Sequence, residues 1–300
     1  MKRLVYLAAY PLLWMLSRLP FSLFYKVSDV VYWLVFYLVR YRRKTVQENL
    51  KLAFPQKTPQ ERATIEQKFY KHMVDMFLEM IKSLNISEEE LKKRFVITNI
   101  EELQRIHAMN KSVLLACGHY ASYEWMNALQ LYPHDFTSFA VYKQVKNPHF
   151  DKLVRRIREK YETRVINSKE AVKVIARNQL DGLIGIYAMI ADQSPKLQGA
   201  KFWTPFMGIS VPVFMGTETL ARKYDMAVVY LHVEKIRRGH YVATFKTLTT
   251  SPKEEQAYEI TRRYFDHLEA QIQQQPEYYL WTHKRWKHRN APIPEQAIEF

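Results

Sequence analysis

The stretch Ser112-Val113-Leu114-Leu115-Ala116-Cys117-Gly118-His119-Tyr120-Ala121-Ser122-Tyr123-Glu124 decides how this chain is read. An uncharged run from Ser112 to Cys117 meets a glycine, the pattern of a buried strand stopped by a turn. His119 then stands at the strand end, with the carboxylate of Glu124 five residues on. On a continuous α-helix five residues rotate by about 500°, so the two side chains would diverge by about 140°. They converge when His119 lies in the turn and Glu124 in the first turns of a following helix. The helix dipole favours an ionised carboxylate there. Such a pair is a general base with an orienting partner, able to take a proton from a hydroxyl attacking an activated acyl group. The plain alternative is a surface histidine beside an unrelated glutamate.

Other chemistries fit these residues less well. No HExxH and no pair of histidines four apart accompanies His119, which weakens a metal reading and leaves metal: none as the expectation. Cys117 is two residues upstream, but a strand-terminal cysteine without a second orienting group reads as a small buried hydrophobe. No GxSxG elbow occurs, which counts against a serine hydrolase.

Outward from this segment, apolar spacing predicts helices over 58–83, 88–93, 151–161, 168–178, 216–223 and 254–275. It predicts strands over 112–117, 137–145, 182–190, 226–233 and 241–247, the last two joined across Arg238-Gly239. Thr58-Pro59 supplies a helix start, and Ile65, Phe69, Met73, Met76, Phe77 and Met80 form its apolar stripe. Strands alternating with helices imply an α/β fold, a mixed central sheet flanked by helices, with functional groups at strand ends. Asp192-Gln193-Ser194 ends a second strand, where its bland reading is turn chemistry before Pro195. On the helix after Asn147-Pro148, Arg155 and Arg158 share a face, a solvated basic side or a phosphate and oxyanion site. Lys143, Asp192 and Gln193 join Arg155 and Arg158 as candidate substrate-binding residues.

Composition narrows the class. The 300 residues carry 45 Lys and Arg against 30 acidic side chains, a net +15 that predicts an acidic partner. Aromatics reach 14%, and basic and aromatic enrichment together favour a membrane interface. One cysteine excludes an intramolecular disulfide framework, and 7 glycines without GxxxxGK[ST] or GxGxxG argue against phosphate loops. No nucleic-acid motif occurs, so a non-catalytic basic protein binding membrane or nucleic acid stands only as an outside alternative.

The first 44 residues predict a membrane-anchoring helical segment, ahead of a catalytic domain over 45–300. Leu4 to Ser17 is uncharged and apolar, Arg18 and Pro20 interrupt it, and a second apolar region runs to Val39. No small-residue cleavage pattern follows the first run, so a cleaved signal is not expected. One tilted transmembrane helix or two helices lying in one leaflet are both expected solutions, against two buried soluble helices. The cluster Arg40-Tyr41-Arg42-Arg43-Lys44 follows, and near anionic lipid each cation contributes about 1 kcal/mol.

The block Gly118 to Trp125 resembles the H-x4-D/E block of the lysophospholipid acyltransferase superfamily. More specifically, the chain is similar to the bacterial lipid A biosynthesis (lauroyl/myristoyl) acyltransferases. Arg43 to Pro55, Tyr142-Lys143 with Asn147-Pro148, Asp192-Gln193 and Pro205-Phe206-Met207-Gly208 fit as well. The carboxy-terminal Tyr279-Leu280-Trp281-Thr282-His283-Lys284-Arg285-Trp286-Lys287 is the most distinctive match. The family often reads H-x-G-N-W-E where this chain has Ala121, Ser122 and Tyr123, and tends to a second Phe at Met207. The resemblance implies an enzyme of the bacterial inner membrane, its catalytic domain on the cytoplasmic face. It implies transfer of a fatty acyl chain from acyl carrier protein, an acidic partner, to a hydroxyl of a lipid A precursor in the membrane. His119 would be the base, Glu124 its partner and Arg158 the family's arginine, with no cofactor beyond the donor itself. The departures leave the acceptor open to a lysophospholipid or lyso-aminolipid. Acyl chain length and oligomeric state are not implied.

Overall fold

The computed structural model describes residues 2–198, 200–294 and 297–299. The strands are β1 Phe95–Ile97, β2 Val113–Cys117, β3 Thr137–Tyr142, β4 Arg164–Asn167, β5 Gly185–Ile190, β6 Phe202–Phe206, β7 Ile209–Pro212, β8 Ala227–Arg237 and β9 His240–Thr249. Among the described residues the main sheet has seven strands in the order β1-β9-β8-β2-β5-β3-β4. β8, β2, β5, β3 and β4 run parallel, while β9 returns antiparallel to β8 and carries β1 beside it. This is the mixed central sheet of the sequence reading. β6 and β7 form an antiparallel hairpin of a second sheet, which a tenth strand, β10 Ile298–Glu299, joins parallel to β6; the apolar spacing did not predict this sheet.

The helices are α1 Lys2–Arg18, α2 Phe21–Trp33, α3 Arg43–Ala53, α4 Pro59–Lys82, α5 Glu88–Arg94, α6 Glu101–Ala108, α7 Pro148–Arg158, α8 Ala171–Leu180, α9 Gly216–Tyr224 and α10 Glu259–Gln274. β2 is buried along its whole length, as a strand covered by helices on both faces must be. α4 starts on a capping box, the Thr58 hydroxyl accepting from the Glu61 amide and Glu61 accepting from the Thr58 amide. Its stripe is wider than its apolar residues imply. Phe77 is exposed, whereas Asp75 and Glu79 are buried under α2 and His72 is buried against Lys235 and Tyr278.

α1 and α2 break at Leu19-Pro20, and α2 continues through a π-helical turn to Val39. Phe21–Val39 is 19 residues long with a mean hydropathy of 1.3, apolar enough to cross a membrane by composition. Its inner face sets polar groups among the buried rings of Phe24 and Phe36. Ser28 donates to Asp75, Tyr25 donates to Glu79, and Arg238 bridges Asp29 and Asp75. Its outer face, with that of α1, is apolar and exposed, including Leu4, Leu12, Trp14, Trp33 and Leu38. The cationic cluster is partly engaged by the protein itself: Arg42 donates to the Thr282 carbonyl and Arg43 pairs with Glu66. Arg40 and Lys44 remain exposed.

Candidate active site

Strand register builds the centre of the site. In the parallel pair of β2 and β5, Cys117 lies opposite Ile190. His119 and Asp192 each stand two residues beyond that pair, so the two chain ends deliver them to the same spot. His119 Nδ1 lies 2.7 Å from Asp192 Oδ1. Gly118 permits this close packing, since a Cβ there would come 2.5 Å from Leu268 Cδ1 on the buried face of α10. Ala121 takes a left-handed φ of 49° and ends the extended course of the loop. The carboxy-terminal segment straps that loop from outside: Ala121 N donates to Tyr278 O and Leu280 N donates to His119 O, both at 3.0 Å.

With Nδ1 hydrogen-bonded to a carboxylate, the neutral ring carries its proton there and leaves Nε2 as acceptor. The Gln193 amide sits 3.3 Å from Nε2 and can donate to it. Burial is the largest influence on the ring and lowers its proton affinity. The charge and hydrogen bond of Asp192, with the charge of Glu124, outweigh it and raise the pKa above the ordinary 6.5, against Arg158. For Asp192, burial acts upward, but His119 and then Arg285 hold the carboxyl below the usual carboxylate range. Burial, then Asp192 and Glu124, push the Cys117 thiol up, which leaves it a weak nucleophile.

Glu124 is placed in the first turn of the 3-10 helix Tyr123–Leu131. Its carboxylate meets Arg158 in a bidentate pair, with Nη2 2.7 Å from Oε1 and Nε 3.2 Å from Oε2. The ring's hydrogen-bond partner is thus Asp192, and Glu124 reaches His119 through its field alone. Glu124 does stand in the first turn of a helix, but Arg158 from α7 captures its carboxylate instead of the ring. Asn147 caps α7 and Pro148 begins it, which carries Arg158 to the last turn of that helix.

Tyr123, Glu124 and Arg158 form one wall of a narrow cavity whose other sides are mostly apolar, among them Leu115, Met126, Phe139, Ile186 and Ile190. Arg155 is not brought there; it pairs with Glu159 on the outer face of α7, beside Lys152 and Lys160. Lys143 is exposed in the loop between β3 and α7. Among the described residues no three His, Cys, Asp or Glu side chains gather as a metal site.

Four residues around Asp192 were not assigned a role from the sequence. Ser194 N donates to His283 Nε2 at 3.3 Å, and Ser194 Oγ donates to Arg285 O at 2.6 Å. Burial is the main reason His283 falls to about 4, so it remains a neutral acceptor. Tyr279 and Arg285 are buried beside the same carboxylate. The signal was present in the dense Tyr, Trp, His and Arg run near the carboxy terminus, which periodicity could not place.

Residues 2–288 match the sequence model of a family described as bacterial lipid A biosynthesis acyltransferase. The chain is similar to a lipid A biosynthesis palmitoleoyltransferase of Escherichia coli K12, 24% identical over 95% of this chain and 91% of the relative. It is similar to a lipid A biosynthesis lauroyltransferase of the same strain, 23% identical over 95% and 92% respectively. A lipid A biosynthesis acyltransferase 2 of Shigella flexneri is 22% identical over 85% and 80%.

Proposed function

The chain belongs to the bacterial lipid A biosynthesis acyltransferase family, and from that premise we propose that it moves a fatty acyl chain from acyl carrier protein to a hydroxyl of a lipid A precursor, with His119 as general base. The observation that carries this reading is the 2.7 Å contact between His119 Nδ1 and Asp192, which leaves Nε2 free to accept a proton. The acceptor hydroxyl takes the position of the Gln193 amide at Nε2. As its oxygen attacks the thioester carbonyl, the proton passes to His119 and Asp192 stabilises the imidazolium. The new C–O bond forms, the C–S bond breaks, and His119 returns the proton to the departing carrier thiolate.

Glu124 holds Arg158 at the cavity wall and adds a negative field that keeps His119 basic. Arg158 spends Nε and Nη2 on Glu124, and its Nη1 makes no hydrogen bond among the described residues. That donor suits the developing oxyanion or an acceptor phosphate. The apolar cavity beside it accepts the acyl chain. The net charge of +15 favours docking of an acidic carrier.

The apolar outer faces of α1 and α2 support attachment to a membrane, and a lipid A precursor as acceptor makes the inner face of the bacterial inner membrane the expected place. A monotopic arrangement fits best. In a spanning α2, Asp29 and Ser28 would have to leave Arg238 and Asp75 for hydrocarbon. The test is mass spectrometry of lipids from cells with and without the protein, paired with transfer assays on the purified enzyme. Loss of one acyl chain from lipid A and loss of transfer in His119→Ala are expected. Transfer that survives His119→Ala rejects the base.

A further inference from the structure

We propose that Arg285 is a positioning residue of the acyl-transfer site, a permanent buried cation that sets the protonation of the Asp192–His119 pair from inside the protein. The inference rests on the reading of His119 as general base. Arg285 is 1% exposed, an unusual place for a guanidinium. It is wedged between aromatic faces, 5.1 Å from the Phe206 ring centre and 5.6 Å from that of Phe265. Nη1 donates to the Pro212 carbonyl at 3.3 Å and to Ser194 Oγ at 3.4 Å. Nε and Nη2 have no hydrogen-bond partner, and no carboxylate lies within ion-pair distance among the described residues.

A cation held this way does little for stability, because an apolar side chain of similar volume serves a core position at least as well. Its surroundings are those of a support for Asp192. Ser194, two residues from Asp192, is held at its amide by His283 and at its hydroxyl by the Arg285 carbonyl. The same three-residue stretch of the carboxy-terminal segment therefore fixes the turn that carries Asp192 and buries a cation near it.

The other titratable groups facing the pair are either neutral or, like Arg158, bring a positive charge already paired with a carboxylate. From β2, β8 and α10, Cys117, Tyr230 and Tyr264 are held neutral by burial first and by Asp192 second or next. From the carboxy-terminal segment, Tyr279 and His283 are also neutral. Glu124 and Arg158 act on His119 from the other side with opposite signs. Arg285 is the permanent cation acting on Asp192 itself.

Removing this positive charge makes protonation of the coupled pair easier, so the acid limb of kcat/KM moves to higher pH. In full-length enzyme, Arg285→Gln keeps a donor and loses the charge, whereas Arg285→Lys keeps the charge and loses the planar fork. Arg285→Gln is expected to raise the limb by about half a unit to one unit, less than the ~1–3 units of a charge in direct contact. Activity on the acid side then falls by about 3- to 10-fold while the alkaline plateau is kept more fully. Arg285→Lys is expected to leave the limb in place, and it carries the test alone if the Gln variant shows no folded melting transition. A uniform loss at all pH values with an unmoved limb in Arg285→Gln, or a raised limb in Arg285→Lys, overturns the proposal. A wild-type acid limb that Asp192→Asn leaves unmoved overturns the base reading instead. A limb that Asp192→Asn displaces and Arg285→Gln does not overturns only the role of Arg285.

Discussion

His119 and Asp192 are 73 residues apart in sequence and 2.7 Å apart in the structure, joined because each stands two residues beyond a register pair of adjacent parallel strands. A carboxylate on Nδ1 selects the tautomer whose Nε2 is the base. Asp192→Asn presents an amide there and loses both the tautomer and the charge. General-base assistance is worth about 10²–10⁴-fold, so His119→Ala and Asp192→Asn should each lower kcat within that range. The double variant should be little worse than either, since the two act as one unit. Wild-type turnover in Asp192→Asn would remove it from the mechanism.

The proton affinity of His119 sets the pH profile. Its pKa lies above the ordinary 6.5, and the base must be neutral, so the acid limb of kcat/KM should fall above 6.5. In Asp192→Asn the largest remaining influence is burial, which disfavours the charged ring. The limb should therefore move down, opposite to the direction expected for Arg285→Gln. Initial rates across the imidazole range decide the sign. An unmoved limb would mean that Asp192 does not act on the ring, and an upward move that it does not favour the charged form.

Glu124 and Arg158 should behave as a coupled pair. Their side chains are 8% and 25% exposed, so removing either strands a partly desolvated charge at the cavity wall. Glu124→Ala and Arg158→Ala should each cost at least about tenfold in kcat/KM, with a coupling in the double variant of about 0.5–3 kcal/mol. Arg158→Lys should recover little, because an ammonium cannot make the bidentate pair. Additive single effects would show that the two act separately.

The buried ionic cluster under α2 is a stability feature with a measurable cost. Asp75 is 1% exposed and accepts from Arg238 at 2.7 Å and from Ser28 at 2.6 Å. Removing one member of such a cluster costs about 3–5 kcal/mol. Asp75→Ala should thus lower the melting temperature sharply and free α2 to protease, while the His119 limb stays in place. An unchanged melt would mean that α2 is held by its apolar contacts alone.

Much of this was legible from local pattern. The strand–glycine–turn at 112–118, the capped start of α4 and the alternation behind a mixed sheet follow from short-range chemistry. The partnership of His119 with Asp192 does not, because β5 lies beside β2 only after β3 and β4 have been passed over. Strand order is a property of the assembled sheet, so Asp192 could be marked as a strand-end group but not paired. The spacing brings Glu124 near the ring, but its ion pair is with Arg158, 34 residues on, a partner that local pattern does not reveal. β1 and the β6–β7 hairpin are too short for periodicity. In the carboxy-terminal segment Trp281 and Trp286 are fully buried without a helix or strand to announce them.

The outer faces of α1 and α2 carry leucines that nothing among the described residues covers. Leu4, Leu12 and Leu38 are 70%, 63% and 69% exposed, so the folded protein gains little from them in water. Against a lipid surface each leucine can remove apolar area worth about 1.5–3 kcal/mol. Replacing all three by serine should weaken partition into anionic vesicles by at least about fortyfold, even with half of that area buried. The melting temperature in detergent-free buffer should hardly change, because no core contact is lost. Raising salt should weaken the remaining binding through Arg40 and Lys44, whose charges are exposed and screened by counterions. Sedimentation with vesicles measures both effects. Binding by the triple variant equal to wild type would show that these helices face something other than lipid.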